Sequence, residues 1–293
     1  MRADPRFARE GKDFWANVRC VSEALGYTNS AGQINVPTLS EIRGALGRLQ
    51  LGEYHLSDRL GNPTPMGILL LDYFAHRAEA LNDLVRLSLM SGDEAAAEFE
   101  KLRARVDPQC PLPMNKQKGE KRRHAFLTGI VNMIIWEKLG GGACCYDPRR
   151  LTTFTRDGIP LRTLARRVDG AFPATVNPIA LWEIKEYYYT TTFGSRVADG
   201  VYETLLDGAE LEELREHGHV EVEHCLIVDG YRTWWMQGRS YLCRIVDMLH
   251  MGYVDEVLFG REVLVRLPEV VERWSELERE RRARSQAPRT PPA

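Results

Sequence analysis

The run Ala180-Leu181-Trp182-Glu183-Ile184-Lys185 constrains the fold of this chain more than any other segment. Its apolar residues predict an interior strand over 179–189. Side chains alternate along a strand, so Glu183 and Lys185 share one face with Leu181, while Trp182 and Ile184 occupy the other. A carboxylate and an ammonium are therefore presented together by a strand that otherwise belongs in a core.

A second carboxylate stands upstream. Val168-Asp169-Gly170 closes another strand-like stretch, and Asp169 precedes Glu183 by 14 positions (183 − 169). If the two strands pair as a hairpin, segment 171–178 is long enough to return Asp169 beside Glu183. Magnesium prefers hard oxygen ligands and is typically held by one or two carboxylates with substrate phosphate completing its shell. Asp169 and Glu183 meet that requirement, and the backbone carbonyl of Ile184 is expected to add a ligand. The ion would lower the pKa of a bound water and offset charge on a pentavalent phosphate, while Lys185 orients or deprotonates the nucleophile. Phosphodiester hydrolysis is the reaction such a set serves.

Asp169, Glu183 and Lys185 in this order resemble the PD-(D/E)xK, or restriction-endonuclease-like, superfamily, in which a helix precedes a hairpin bearing Asp and Glu-x-Lys, followed by a crossover helix and another strand. The resemblance covers roughly 116–267 and departs from the family name at Val168, where that name puts proline. It implies an α/β (α+β) fold, with an N-terminal helical region followed by a central mixed β-sheet flanked by helices. It also implies an endonuclease acting on double-stranded DNA with Mg²⁺, for which Mn²⁺ substitutes, in type II restriction or antiviral defence. Glu137, on the helix before the hairpin, is the acid expected to assist the metal site. A homodimer is expected, because two strands must be cut and a two-fold protein matches a palindromic site.

The rest of the chain changes character once. Phe14, Trp15, Val18, Val21 and Leu25 fall on one helical face; Thr38 and Glu41 have the form of a capping box ahead of Ile42, Leu46 and Leu49. A long helix is predicted over 65–90, and Ser91 with Glu94 opens another that ends near Val106. After a proline-containing break come Lys116, Lys118, Lys121, Arg122, Arg123 and His124, then an apolar helix over 126–139. Past Gly140-Gly141-Gly142, strands are predicted at 151–155, 161–168, 220–228 and 257–265, with helices at 202–214, 241–251 and 268–284. The expected organisation is a helical region 1–112, a nuclease domain 113–284 and a disordered tail 285–293.

Candidate DNA contacts are Lys116, Lys118, Lys121, Arg122 and Arg123 in the basic cluster, Arg196 in the turn after the motif, and Arg232 beside Asp229. Arg43 joins them if the first two helices form a helix-turn-helix, for which ordinary helical packing is the competing reading. Tyr187, Tyr188 and Tyr189 read as strand packing, and Trp234 with Trp235 as core or subunit packing.

Composition removes other classes. A net charge of −2 means that nucleic acid must be met by a local basic surface. The apolar runs are too short to span a bilayer, so a cytoplasmic protein with no membrane partner is expected. Six cysteines without a C-x-x-C read as reduced thiols, and there is no H-E-x-x-H, Walker loop or G-x-S-x-G elbow. Two alternatives stay open: a non-catalytic DNA-binding or regulatory protein, and a repair or recombination nuclease on the same fold.

Overall fold

The computed structural model describes residues 1–8, 10–115, 123–188 and 194–286. The N-terminal helices are α1 (Lys12–Leu25) and α2 (Leu39–Arg48), followed by α3 (Pro65–Glu79). The last continues through a π-helical turn (Ala80–Val85) into the short α4 (Arg86–Ser88). Their starts follow the sequence signals: the Glu41 carboxylate accepts from Thr38 N at 2.8 Å while Thr38 Oγ1 accepts from Glu41 N at 3.3 Å. Ser91 and Glu94 make the same reciprocal pair at the head of α5 (Gly92–Val106). Each box satisfies amide groups that a helix start leaves without partners.

The remaining elements form a mixed α/β unit. Helix α6 (Phe126–Lys138) leads into β1 (Cys145–Tyr146), β2 (Thr153–Arg156), β3 (Ile159–Thr163), β4 (Gly170–Phe172) and β5 (Ala180–Lys185). Then come α7 (Ser195–Gly218), β6 (Glu223–Val228), a π-helical segment (Tyr231–Gln237), α8 (Arg239–His250), β7 (Glu256–Phe259) and α9 (Glu262–Gln286). The five-stranded sheet has the order β1-β4-β5-β6-β7; β1, β4 and β5 pair antiparallel, and β5, β6 and β7 pair parallel. Strands β2 and β3 form a separate hairpin whose Asp157-Gly158 tip has φ of 50° and 81°, the positive pair a two-residue type I′ turn requires.

Both faces of the sheet are covered, so β6 and β7 are buried along almost their whole length and, apart from Glu223, His224 and Glu256 at their starts, are apolar. On one face α5, α6 and α9 pack Phe99, Ile130 and Trp274 against Trp182, Ile227 and Leu258. Trp182 and Trp274 stack with ring centroids 5.5 Å apart. On the other face Val201 of α7 and Val246 of α8 meet Leu226, Val228 and Phe259. The first helices have a core of their own around Phe14, Trp15, Ile42 and Tyr73.

Several boundaries differ from expectation. The predicted strand 257–265 stops at Phe259, where Gly260 turns with φ of 49° and Phe259 N donates to Glu262 at 3.0 Å. Val263, Leu267, Val270, Val271 and Trp274 are then buried at helical spacing while Val265 is exposed, so α9 begins inside the predicted strand. The strand predicted at 161–168 ends at Thr163, and Leu164 and Val168 turn into a small core with Phe154 and Leu181. Placing a boundary at residue 112 assigns α5 to the helical region; in the structure Ala95, Phe99 and Leu102 belong to the core beneath the sheet, while Ile34, Ala78, Leu81 and Val85 join the core on its other face. The predicted tail lies outside the described residues from 287 onward. No helix among the described residues is long and apolar enough to cross a membrane.

Candidate active site

The hairpin β4–β5 does what its spacing required. Gly170 pairs with Trp182, which sets Asp169 opposite Glu183 one step further out. Asp169 N donates to Glu183 Oε1 at 3.2 Å, and Ile184 N donates to Asp169 Oδ2 at 2.8 Å. Lys185 Nζ lies 2.9 Å from Glu183 Oε2. The three residues singled out by the motif are thus brought together.

Three further charged residues complete the cluster, and sequence reasoning missed them. Arg166 reaches Glu183 Oε1 at 3.0 Å, Asp207 at 2.5 Å and Glu203 at 3.2 Å, and Glu203 also sits 3.1 Å from Lys185 Nζ. Glu203 and Asp207 are four apart on α7, hence on one helical face, which was the available signal. Helix α7 can come this close because of Gly200: a Cβ there would lie 3.1 Å from the Lys185 stem and 2.5 Å from the Tyr187 hydroxyl.

Burial sets the electrostatics. Glu183 is 0% exposed and Lys185 5% exposed. Burial opposes ionisation of Glu183, yet the Lys185 ammonium and Arg166 guanidinium outweigh it and hold the carboxyl below its usual range. Asp169 is pushed up to about 6, first by burial and then by the Glu183 charge. Asp207 is pushed up to about 7 by the same two causes. Burial also works against the charge on Lys185, but Glu183 more than compensates and raises the lysine above its usual range.

Beyond Lys185 the strand ends, because Tyr187 N donates to the buried Asp229 carboxylate, which also accepts from Trp234 Nε1 at 2.7 Å. The predicted strand therefore loses 186–188, and residue 189 lies outside the described residues; Trp234 and Trp235 are buried, as the packing reading held. Glu186 faces away from Lys185 and toward α6, where it accepts from Thr128 N at 3.0 Å and Thr128 Oγ1 at 2.9 Å. A cavity of about 270 Å³ opens there, lined by Asp169, Ile184, Glu186, Tyr187, Asp147 and Asn115 among others.

The remaining candidates are scattered. Glu137 is not brought to the site: it pairs with Arg105 at 2.7 Å and lines a different cleft, because it lies more than two turns beyond Thr128 along α6. Arg43 is paired with Glu53 through two contacts of 2.8 and 3.1 Å, so its charge is engaged within the chain. Arg196 and Arg232 are exposed. Lys116, Lys118, Lys121 and Arg122 lie outside the described residues; the chain on either side, Asn115 and Arg123, is joined by a 2.9 Å backbone hydrogen bond at the rim of the cavity.

The donors suit a hard cation unequally. Asp169 and Ile184 line the cavity, and Asp169 makes no further side-chain hydrogen bond among the described residues. Both oxygens of Glu183 are in ion pairs. Among the described residues no group of three or more His, Cys, Asp or Glu is placed to hold a metal, so any cation here would rest on two carboxylates with waters and substrate oxygens.

A family described as a domain of unknown function (DUF7687) matches residues 90–274, and a second such domain (DUF7690) matches residues 1–84. No curated protein and no solved structure matches the chain.

Proposed function

The chain belongs to the DUF7687 family, and we propose that it is a Mg²⁺-dependent endonuclease that hydrolyses phosphodiester bonds of double-stranded DNA. The observation that carries this reading is the convergence of Asp169, Glu183 and Lys185 on one hairpin, each within hydrogen-bonding distance of the next. Helix α6, the hairpin β4–β5, the crossover helix α7 and strand β6 follow in the order that the PD-(D/E)xK resemblance implies. Restriction or antiviral defence, a homodimer and a cytoplasmic location complete the proposal.

When bound, the cation supplies an acidified water and neutralises charge on the phosphate. The chain's own residues do the positioning. Asp169, anchored by Ile184 N, presents a carboxylate to the cavity. The Lys185 ammonium, fixed between Glu183 and Glu203 behind Asp169, is a preorganised positive charge whose field offsets phosphate charge without reorganising at the moment of reaction. Arg166 holds three carboxylates in place and adds a second fixed positive charge.

A pH dependence follows from Asp169. Below about 6 its carboxyl is protonated and cannot serve as a hard anionic ligand; above about 6 it is ionised. At sub-saturating Mg²⁺, kcat/KM is expected to fall about tenfold per pH unit below that value and to level off above it. A profile flat from pH 5 to 8 contradicts the assignment.

The closed ion-pair network around Glu183 favours a second reading, a non-catalytic DNA-binding protein in which these charges are structural. Electrophoretic binding in EDTA combined with cleavage in Mg²⁺ separates the two. The nuclease binds in both and cuts only with Mg²⁺; the binding protein leaves the DNA intact.

A further inference from the structure

Resting on the metal-dependent reading above, we infer that the second carboxylate holding the cation is Glu186 rather than Glu183. The ion would sit between Asp169 and Glu186, on the α6 side of β5, with Glu183 serving as the buried counter-charge that positions Lys185.

Strand geometry separates the two acids. Glu183 and Lys185 point toward α7, whereas Glu186, next along the chain, points toward the start of α6. Glu183 has no exposed surface, and its oxygens are taken up by Lys185 at 2.9 Å, Arg166 at 3.0 Å and the Asp169 amide at 3.2 Å. Admitting a cation to Glu183 means displacing the buried Lys185 ammonium or the half-buried Arg166 guanidinium, and breaking such a pair leaves an uncompensated charge.

Glu186 is in the opposite condition. One carboxylate oxygen, Oε2, takes both bonds from Thr128, and the Leu127 and Phe126 amides at the head of α6 also favour the charged carboxylate; the other oxygen, Oε1, is enclosed by protein without a hydrogen-bond partner of its own. A buried carboxylate oxygen without a partner is costly, and a bound cation is the partner that removes the cost. Glu186 and Asp169 line the same cavity of about 270 Å³, with Asp147 and Asn115 beside them and no His or Cys among its lining residues. That donor set is oxygen-rich and suits Mg²⁺ or Mn²⁺ rather than a softer metal. The volume accommodates the ion with several waters, each needing roughly 30 Å³.

Mn²⁺ alone, titrated into the full-length protein and followed by the electron paramagnetic resonance of the free ion, tests the assignment without recourse to activity. Glu186→Gln keeps an acceptor for Thr128 and is expected to weaken Mn²⁺ binding at least tenfold, as is Asp169→Asn. Glu183→Gln and Glu203→Gln, acids on the α7 side, are expected to change it less than threefold. Equal losses from all four variants would indicate a diffuse charge effect and overturn the inference. Because Glu183→Gln could unfold the chain, anomalous scattering from Mn²⁺-soaked crystals of the unsubstituted protein supplies a second measurement: a peak between Asp169 and Glu186 supports the inference, and one between Asp169 and Glu183 overturns it. Mg²⁺-dependent cleavage with the ion at Glu183 sinks this inference alone. An unsubstituted protein that neither binds Mn²⁺ nor cuts DNA sinks the nuclease reading with it.

Discussion

Replacing Lys185 by Met is expected to lower single-turnover DNA cleavage by roughly 10²–10⁴-fold while leaving DNA affinity within a few-fold of the unsubstituted protein. The reason lies in where the ammonium sits. It is buried, held at 2.9 Å from Glu183 and 3.1 Å from Glu203, and so cannot be replaced by a solvent cation of similar placement. Methionine keeps much of the stem that packs beneath Gly200 and removes only the charge, which separates lost chemistry from lost packing. Arg166 remains on Glu183, so the carboxylate is not left without a counter-charge. Cleavage can be followed with Mg²⁺ and binding by fluorescence anisotropy in EDTA. Unchanged cleavage removes Lys185 from the chemistry; loss of binding together with the melting transition assigns it to the fold.

A second large effect is expected far from the site. Arg77 of α3 is fully buried, contacts both Asp247 oxygens of α8 at 3.1 Å and reaches Ser22 Oγ at 3.2 Å, while the Tyr73 hydroxyl donates to Asp247 at 2.6 Å. This pair ties the N-terminal helices to the layer covering one face of the sheet. Asp247→Ala leaves the guanidinium buried with no carboxylate and should cost about 3–5 kcal/mol of unfolding free energy. The double variant Arg77→Met with Asp247→Leu should recover most of that loss, because it removes both charges and keeps the volume. Urea unfolding measures both; a loss under about 1 kcal/mol for Asp247→Ala would mean that water or another acid reaches Arg77.

These two clusters mark the limits of what the sequence makes legible. Alternation along 180–185 and the distance back to Asp169 were enough to place Asp169, Glu183 and Lys185 together, because strand periodicity and hairpin closure are local rules. The same holds for the capping boxes at Thr38 and Ser91. Arg166, Glu203 and Asp207 escaped because α7 is brought over β5 by tertiary packing, and its i, i+4 acids look like any solvated helical face until that packing is known. Glu137 was misplaced for a related reason: the helix was placed correctly, but its start, not its end, meets the strand. The extra strand length at 257–265 arose because Val and Leu fit strand and helix alike, and only burial spaced by three and four distinguishes them.

The most direct test of the central claim is incubation of the purified full-length protein with supercoiled plasmid and unmethylated phage DNA, with Mg²⁺ and with EDTA. The account predicts conversion to nicked, linear or discrete fragments with Mg²⁺ and none with EDTA. DNA left intact in both would contradict it, and cutting that proceeds equally in EDTA would contradict the metal-dependent chemistry assigned to Asp169 and its neighbours.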